Sequence, residues 1–420
     1  MAKKLSLFVG RQPSSELINS GLPEFRWEEL CDKEEIGRGS FGAVFTAKSR
    51  GEIVVIKKLL RQNTYEKRLF LKEAKILNDL SNDHIVRLKG FCPNPLAMML
   101  EYLYFDLGIF GVNGHRLSSL QDFLEFVSTD EQYIVGFSCL HTKIAEDVAL
   151  GVKYLHENDI VHRDLKPGNV LISNQHYSNM DEDGIKDAWS RNGIVCKLVD
   201  FGESRSPVQQ TNTICHTMTN NVDRGTIVFM APEHISWQSV PQTLSLADLK
   251  KGDIWSLGMI MFMLLNPDLE FPFQIELDQL QSRNLEEFKK ELARRFMQEM
   301  KPTFSDKHSI LQATTWLKVD EIYSECTKFV PSDRLTAQQI VARLQAYDHN
   351  HSISRNIPLS VSQSTAVEDH DKLVAVGVAS WGNIPNDATN GCALLAVGIA
   401  DQLIQELRIV KGMLFNVELT

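Results

Sequence analysis

Ile160-Val161-His162-Arg163-Asp164-Leu165-Lys166-Pro167-Gly168-Asn169-Val170-Leu171-Ile172 sets a run of chemically capable polar side chains between two apolar flanks. The flanks belong in a core, so the polar residues between them form a loop at its edge. Those residue types suit one kind of work. Phosphoryl transfer needs a carboxylate to orient an attacking hydroxyl and take its proton, a cation near the transferring phosphate, and oxygen ligands for Mg²⁺. Asp164, Lys166 and Asn169 supply all three within one turn of chain. Downstream, Leu198-Val199-Asp200-Phe201-Gly202 ends an apolar strand on a second carboxylate, suited to a metal bridging the β and γ phosphates.

Upstream, Gly37-Arg38-Gly39-Ser40-Phe41-Gly42-Ala43-Val44 has glycines at the spacing G-x-G-x-x-G. Dinucleotide folds use the same spacing at a strand-to-helix turn, but here β-prone residues follow, Phe45 to Ala47 and then Ile53 to Ile56 across Lys48-Ser49-Arg50-Gly51. A loop folded between two antiparallel strands can bring its backbone close to phosphates, and taken alone it leaves nucleotide binding and an ordinary glycine-rich turn both open. Val54-Val55-Ile56-Lys57 closes the second strand on a lysine that, alone, reads as a solvent-facing strand end. Glu73, on the apolar-periodic stretch Glu66 to Leu80, gives it a partner that would hold the ammonium over the α and β phosphates.

Secondary-structure periodicity divides the chain. Strands are also expected over Ile85 to Leu88 and Ala97 to Tyr102, so residues 27–102 read as mostly strand with one helix. Helices are expected over Leu140 to His156, Ile254 to Leu265, Leu285 to Met300 and Ala337 to Ala346. Residues 1–26 read as a lead-in, 347–371 as a polar linker and 372–420 as a short C-terminal segment, an incomplete domain.

Taken together, these motifs resemble those of a eukaryotic protein kinase of the serine/threonine type, in the expected order over residues 27–346. Ala231-Pro232-Glu233, Asp253-Ile254-Trp255-Ser256-Leu257-Gly258 and Arg334 in Pro331-Ser332-Asp333-Arg334-Leu335 resemble further family landmarks, Arg334 being the partner of Glu233. The resemblance implies an α+β, bilobal fold: a small β-rich N-lobe over 27–102, a larger helical C-lobe over 103–346, and the short C-terminal segment beyond. It also implies ATP and Mg²⁺ as cofactors, protein substrates, and roles residue by residue. Lys57 pairs with Glu73, Asp164 is the base with Lys166 beside it, and Asn169 and Asp200 hold metal. Ile36, Gly37, Arg38, Gly39, Ser40, Phe41, Gly42, Ala43, Val44 and Val55 would enclose the nucleotide, with Glu101 and Leu103 of Leu100-Glu101-Tyr102-Leu103 meeting adenine through the backbone. Val55 stands where the family usually has Ala, which tightens the pocket. Lys166 and Thr226 point to Ser/Thr specificity, and Trp27 with the Gly225 to Glu233 segment resembles the tyrosine-kinase-like group.

Regulation would run through Arg163 and a phosphate on the segment 200–233, added by an upstream kinase. That segment offers Ser204, Ser206, Thr211, Thr213, Thr217 and Thr219, of which Thr217 and Thr219 are preferred. Asn174 to Asn192 reads as a surface insertion, and Phe105 to Phe137 as an enlarged connection; both read as tolerated loop growth or as docking elements. A kinase-fold scaffold acting by binding is the alternative function. A third reading rests on Cys392 in Asn390-Gly391-Cys392, at the start of a helix running to about Ile409, where a cysteine-peptidase nucleophile would sit; no histidine follows it.

Composition sets the outer limits. The 420 residues carry 44 Lys and Arg against 54 Asp and Glu, a formal net charge of −10, which argues against a nucleic-acid backbone or an anionic membrane as main partner. The 7 cysteines are scattered with no C-x-x-C pair, as in a reducing compartment, and no apolar run is long enough to span a membrane. Cytoplasm is the expected location, with the nucleus open.

Overall fold

The computed structural model describes residues 21–38, 42–60, 63–112, 114–202, 204, 227–235, 245–280, 285–306 and 316–350. The N-terminal part is a five-stranded antiparallel sheet of β1 (Cys31–Arg38), β2 (Gly42–Ser49), β3 (Glu52–Leu59), β4 (Leu88–Pro93) and β5 (Leu96–Glu101), in the order β1-β2-β3-β5-β4. The β2–β3 hairpin turns at Arg50 and Gly51, both with positive φ (50° and 87°). This is the turn whose twist matches that of the strands it joins. Helix α1 (Thr64–Asp79) crosses behind the sheet; the Asn63 side chain accepts the Glu66 N–H at 2.8 Å, and Phe70, Glu73, Ala74, Ile76 and Leu77 are buried.

One expected strand lies elsewhere. Ile85 and its neighbours do not join the sheet; Val86 N–H donates to Leu198 C=O at 2.9 Å and Leu198 N–H to His84 C=O at 2.9 Å. This stretch stitches the two lobes together, and β4 begins only at Leu88.

The larger lobe is helical. After β6 (Phe105–Asp106) and β7 (Arg116–Leu117) come α2 (Leu120–Ser128), α3 (Glu131–Phe137), α4 (His141–Glu157), β8 (Val170–Ser173), α5 (Glu182–Asn192) and β9 (Val195–Leu198). Then follow α6 (Leu246–Leu265), α7 (Gln274–Leu277), α8 (Leu285–Met297), α9 (Trp316–Cys326) and α10 (Ala337–Asn350), the last running into the stretch expected as linker. From Gly252 to Leu265 every residue of α6 is buried, so it is apolar all round and forms the axis of the lobe.

The insertion at 174–192 lies at the surface, with most of its residues exposed, but it is anchored by three buried side chains. Asn174 is fully buried, its amide donating to Asp106 C=O at 3.0 Å and accepting Asp106 N–H at 2.7 Å. Tyr177 and Trp189 are also fully buried, the indole ring lying 5.1 Å from Phe110 and 6.3 Å from Phe137. Phe105 stacks on Phe110 at 5.8 Å and meets Phe123 edge-on at 5.7 Å. The two enlarged stretches are thus halves of one aromatic cluster, each supplying the apolar surface the other needs.

Among the described residues no helix is long and apolar enough to cross a membrane, and Cys31, Cys92, Cys139, Cys196 and Cys326 are free thiols. The lead-in 1–20, the segment 372–420 with Cys392, and most of the linker lie outside the described residues.

Candidate active site

Strand β3 and helix α1 bring Lys57 and Glu73 together from sixteen positions apart. The ammonium donates to both carboxylate oxygens, at 2.9 and 2.8 Å, and lies 3.9 Å from Asp200. All three side chains are largely buried, at 8%, 3% and 13% exposure, so the pair is shielded from salt and water. Burial alone would push the Lys57 ammonium down, but the charges of Glu73 and then Asp200 outweigh it, and its pKa lies above the ordinary lysine value. Val44 and Val55 are buried at 1% and 2% exposure; Val44 lies opposite Lys57 on β2, and Val55, two residues before Lys57 on β3, lies opposite Leu100. Ile36 packs against the same core. Gly42 is required by the backbone: a Cβ there would lie 2.9 Å from Lys58 C=O.

The loop 160–172 is held from below by α6. Asp253 accepts the N–H of His162 and of Arg163, each at 2.8 Å, and the ring of His156 at 3.0 Å. Burial opposes its charge, yet the hydrogen bond and charge of His156 hold the Asp253 carboxyl below its usual value. The His162 ring reaches Val199 C=O at 2.9 Å and packs on Phe201 with ring centres 5.1 Å apart. Arg163 and Asp200 both adopt positive φ, 72° and 67°, conformations that a non-glycine residue keeps only where its surroundings impose them.

Asn169 donates to Asp164 twice, to the C=O at 2.7 Å and to the carboxylate at 2.9 Å, and Lys166 stands 3.3 Å from that same carboxylate. Burial raises the Asp164 carboxyl above its usual range; the charge of Lys166 opposes this and the neighbouring Asp200 adds to it. A carboxylate raised in this way is closer to the proton affinity that a base acting near neutral pH needs. With its N–H bonds spent on Asp164, Asn169 has its amide oxygen to offer, and Asp200 uses Oδ1 for Gly202 N–H at 3.1 Å. Two oxygen donors fit Mg²⁺, which binds through one or two protein oxygens and completes its shell with water and substrate phosphates.

Glu101 directs its side chain away from the pocket, its carboxylate taking Arg87 N–H and the Lys197 ammonium, each at 2.8 Å. Its backbone N–H is also engaged, donating to Arg87 C=O at 3.1 Å. Glu233 and Arg334 form the expected pair at 2.5 and 2.8 Å, with the guanidinium fully buried over Trp255. The His234 ring abuts Gly252, where a Cβ would fall 1.8 Å from its Cε1.

A model of the protein kinase domain matches residues 30–344. The chain belongs to the protein kinase domain family. Its relatives include a calcium/calmodulin-regulated receptor-like kinase of Arabidopsis thaliana, 28% identical over 286 residues (65% of this chain, 54% of the relative). Serine/threonine-protein kinase 33 of Mus musculus is 29% identical over 273 residues (61% and 48%). The chain spans about half the length of these two. The kinase domain thus brings together Lys57, Glu73, Asp164, Lys166, Asn169 and Asp200. Gly39, Ser40, Phe41, Thr217, Thr219 and Thr226 lie outside the described residues.

One expected phosphate acceptor is corrected: Ser204 is fully buried, its hydroxyl donating to His162 C=O at 3.3 Å, so it supports the catalytic loop and is closed to an upstream kinase. Sequence reasoning also missed His156 and Asn174. The only signal for the first was a histidine on the apolar face of α4, and the second carried none, being one Asn in a polar stretch.

Proposed function

We propose that the chain is a serine/threonine protein kinase that transfers the γ-phosphate of Mg·ATP to Ser and Thr hydroxyls of protein substrates. The observation that carries this reading is the buried assembly of Asp164, Asn169, Lys166 and Asp200 around one point, with Lys57 held by Glu73 beside it. Lys57 would anchor the α and β phosphates. Asp164 would orient the acceptor hydroxyl and take its proton as the new bond forms, while Lys166 would offset charge on the moving phosphoryl group. Asn169 and Asp200 would hold Mg²⁺, which when bound neutralises charge on the β and γ phosphates. Adenine would lie between Val44 and Val55, against the backbone of Glu101 and Leu103.

The relatives named as serine/threonine kinases, and Lys166 in its loop position, support the choice of acceptor. Control by phosphorylation at Thr217 or Thr219, read by Arg163 and supplied by an upstream kinase, belongs to the same proposal, as does a cytoplasmic location. The test is transfer of labelled γ-phosphate to the chain itself and to a basic protein, wild type against Asp164→Asn. Phosphoserine or phosphothreonine that falls about 10²- to 10⁴-fold in the variant supports the reading. No transfer by wild type, even after treatment with cell extract, leaves a scaffold that acts by binding.

A further inference from the structure

Two adjacent side chains of α1 reach the segment that follows Asp200. Glu73, besides its bonds to Lys57, faces the backbone N–H of Phe201, which favours its charged form. Lys72, half-buried, donates its ammonium to the C=O of Ser204. Ser204 is itself fixed, its N–H donating to Phe201 C=O at 3.1 Å and its hydroxyl to His162 C=O. Successive helix residues point about 100° apart, so the two side chains approach the segment from different directions. The turn they hold begins at Asp200, which sits at φ 67° and needs outside support to stay there.

We propose that Lys72 is a positioning residue for Asp200: with Glu73 it clamps the turn 200–204 at two points, so that Asp200 is presented to Mg²⁺. The inference rests on the kinase reading and deepens it. Glu73 reaches only the Phe201 end of the turn; at the far end Lys72 adds a tie to α1 beside the bonds that Ser204 makes to Phe201 and His162. Lys72 closes that end, and being half-exposed it contributes at the lower end of what a charged hydrogen bond carries.

The test measures binding of a fluorescent ATP analogue to the full chain with and without Mg²⁺, together with amide exchange over residues 200–204, for wild type, Lys72→Met and Lys72→Arg. The expected Lys72→Met result is wild-type affinity without metal, a gain from Mg²⁺ reduced about five- to tenfold, and faster exchange at Phe201 and Ser204. Lys72→Arg keeps a charged donor of similar reach and restores both. A Lys72→Met protein with the wild-type gain from Mg²⁺ overturns the proposal, as does one weakened equally with and without metal, which marks a general structural role. If wild type binds no nucleotide under either condition, the kinase reading fails instead, and unchanged exchange in Lys72→Met then refutes the clamp independently.

Discussion

Replacing Trp189 by Ala tests whether the insertion is part of the core. The indole is fully buried against Phe110 and Phe137. A buried Trp removes about 200 Å² from water, worth about 5 kcal/mol at ~25 cal/mol per Å². Alanine keeps a small part of that and the site relaxes only partly, so the expected loss is about 4 kcal/mol, within the range for large-to-small changes in cores. A domain of about 300 residues unfolds with an entropy near 0.6 kcal/mol/K, so the melting temperature should fall by about 6 °C. Differential scanning fluorimetry on the full chain reads this directly, and Trp189→Phe, which keeps most of the packing, should fall much less. A surface loop that tolerates growth would lose no more than about 0.5 kcal/mol. A shift under about 1 °C for Trp189→Ala would therefore refute the co-folding of the two enlarged stretches.

Two further outcomes are expected. Arg334→Lys keeps the charge but cannot reproduce the bonds that the buried Arg334 guanidinium makes to Glu233, Lys328 C=O and Lys251 C=O, so the half-buried Glu233 carboxylate loses its fork and two carbonyls lose their donor; a loss of about 3 kcal/mol in urea unfolding is expected, and a loss below about 1 kcal/mol would contradict the geometry. Burial pushes the His141 imidazole down to about 4, and its Nδ1 has no hydrogen-bond partner among the described residues. The unfolded chain then binds a proton that the folded one refuses. This stability is fully present above about pH 6.5 and declines as pH falls toward 4, by about 2 kcal/mol on going from pH 7.5 to pH 5. His141→Phe should flatten that part of the pH–stability curve, and an unchanged slope would show that another group carries it.

The reach of the sequence can be judged residue by residue. Lys57, Glu73, Asp164, Asn169 and Asp200 were legible because phosphate chemistry demands fixed residue types at short spacings, and the apolar runs beside them gave the strands and helices that carry them. The Arg50–Gly51 turn was legible for the same local reason. Ile85 was misplaced because an apolar pair reads as a strand wherever its partner lies, and its partner is Leu198 in the other lobe. Tyr177 and Trp189 fell within a stretch read only as a surface insertion because the residues around them are polar, while the surface that buries them comes from Phe105, Phe110 and Phe137, far away in sequence. Asp253 was read as the start of a buried helix that in fact begins at Leu246, and its grip on His162 and Arg163 spans about ninety residues and leaves no periodic trace. Lys72 was one more cation on a helix until the Ser204 carbonyl was placed beside it.

The first half of α6 has a consequence for how the domain comes apart. Asp253 closes on His162 and Arg163, Ser256 donates to Phe229 C=O at 2.8 Å, and Lys251 C=O receives Arg334 at 2.9 Å. Three segments distant in sequence therefore end on two turns of one helix that has no solvent-facing side beyond Gly252. The loop bearing Asp164 is therefore expected to show no separate melting transition: the amides of residues 162 and 163 should exchange only when the whole lobe opens, and a protease should find no partly unfolded form of this loop to cut.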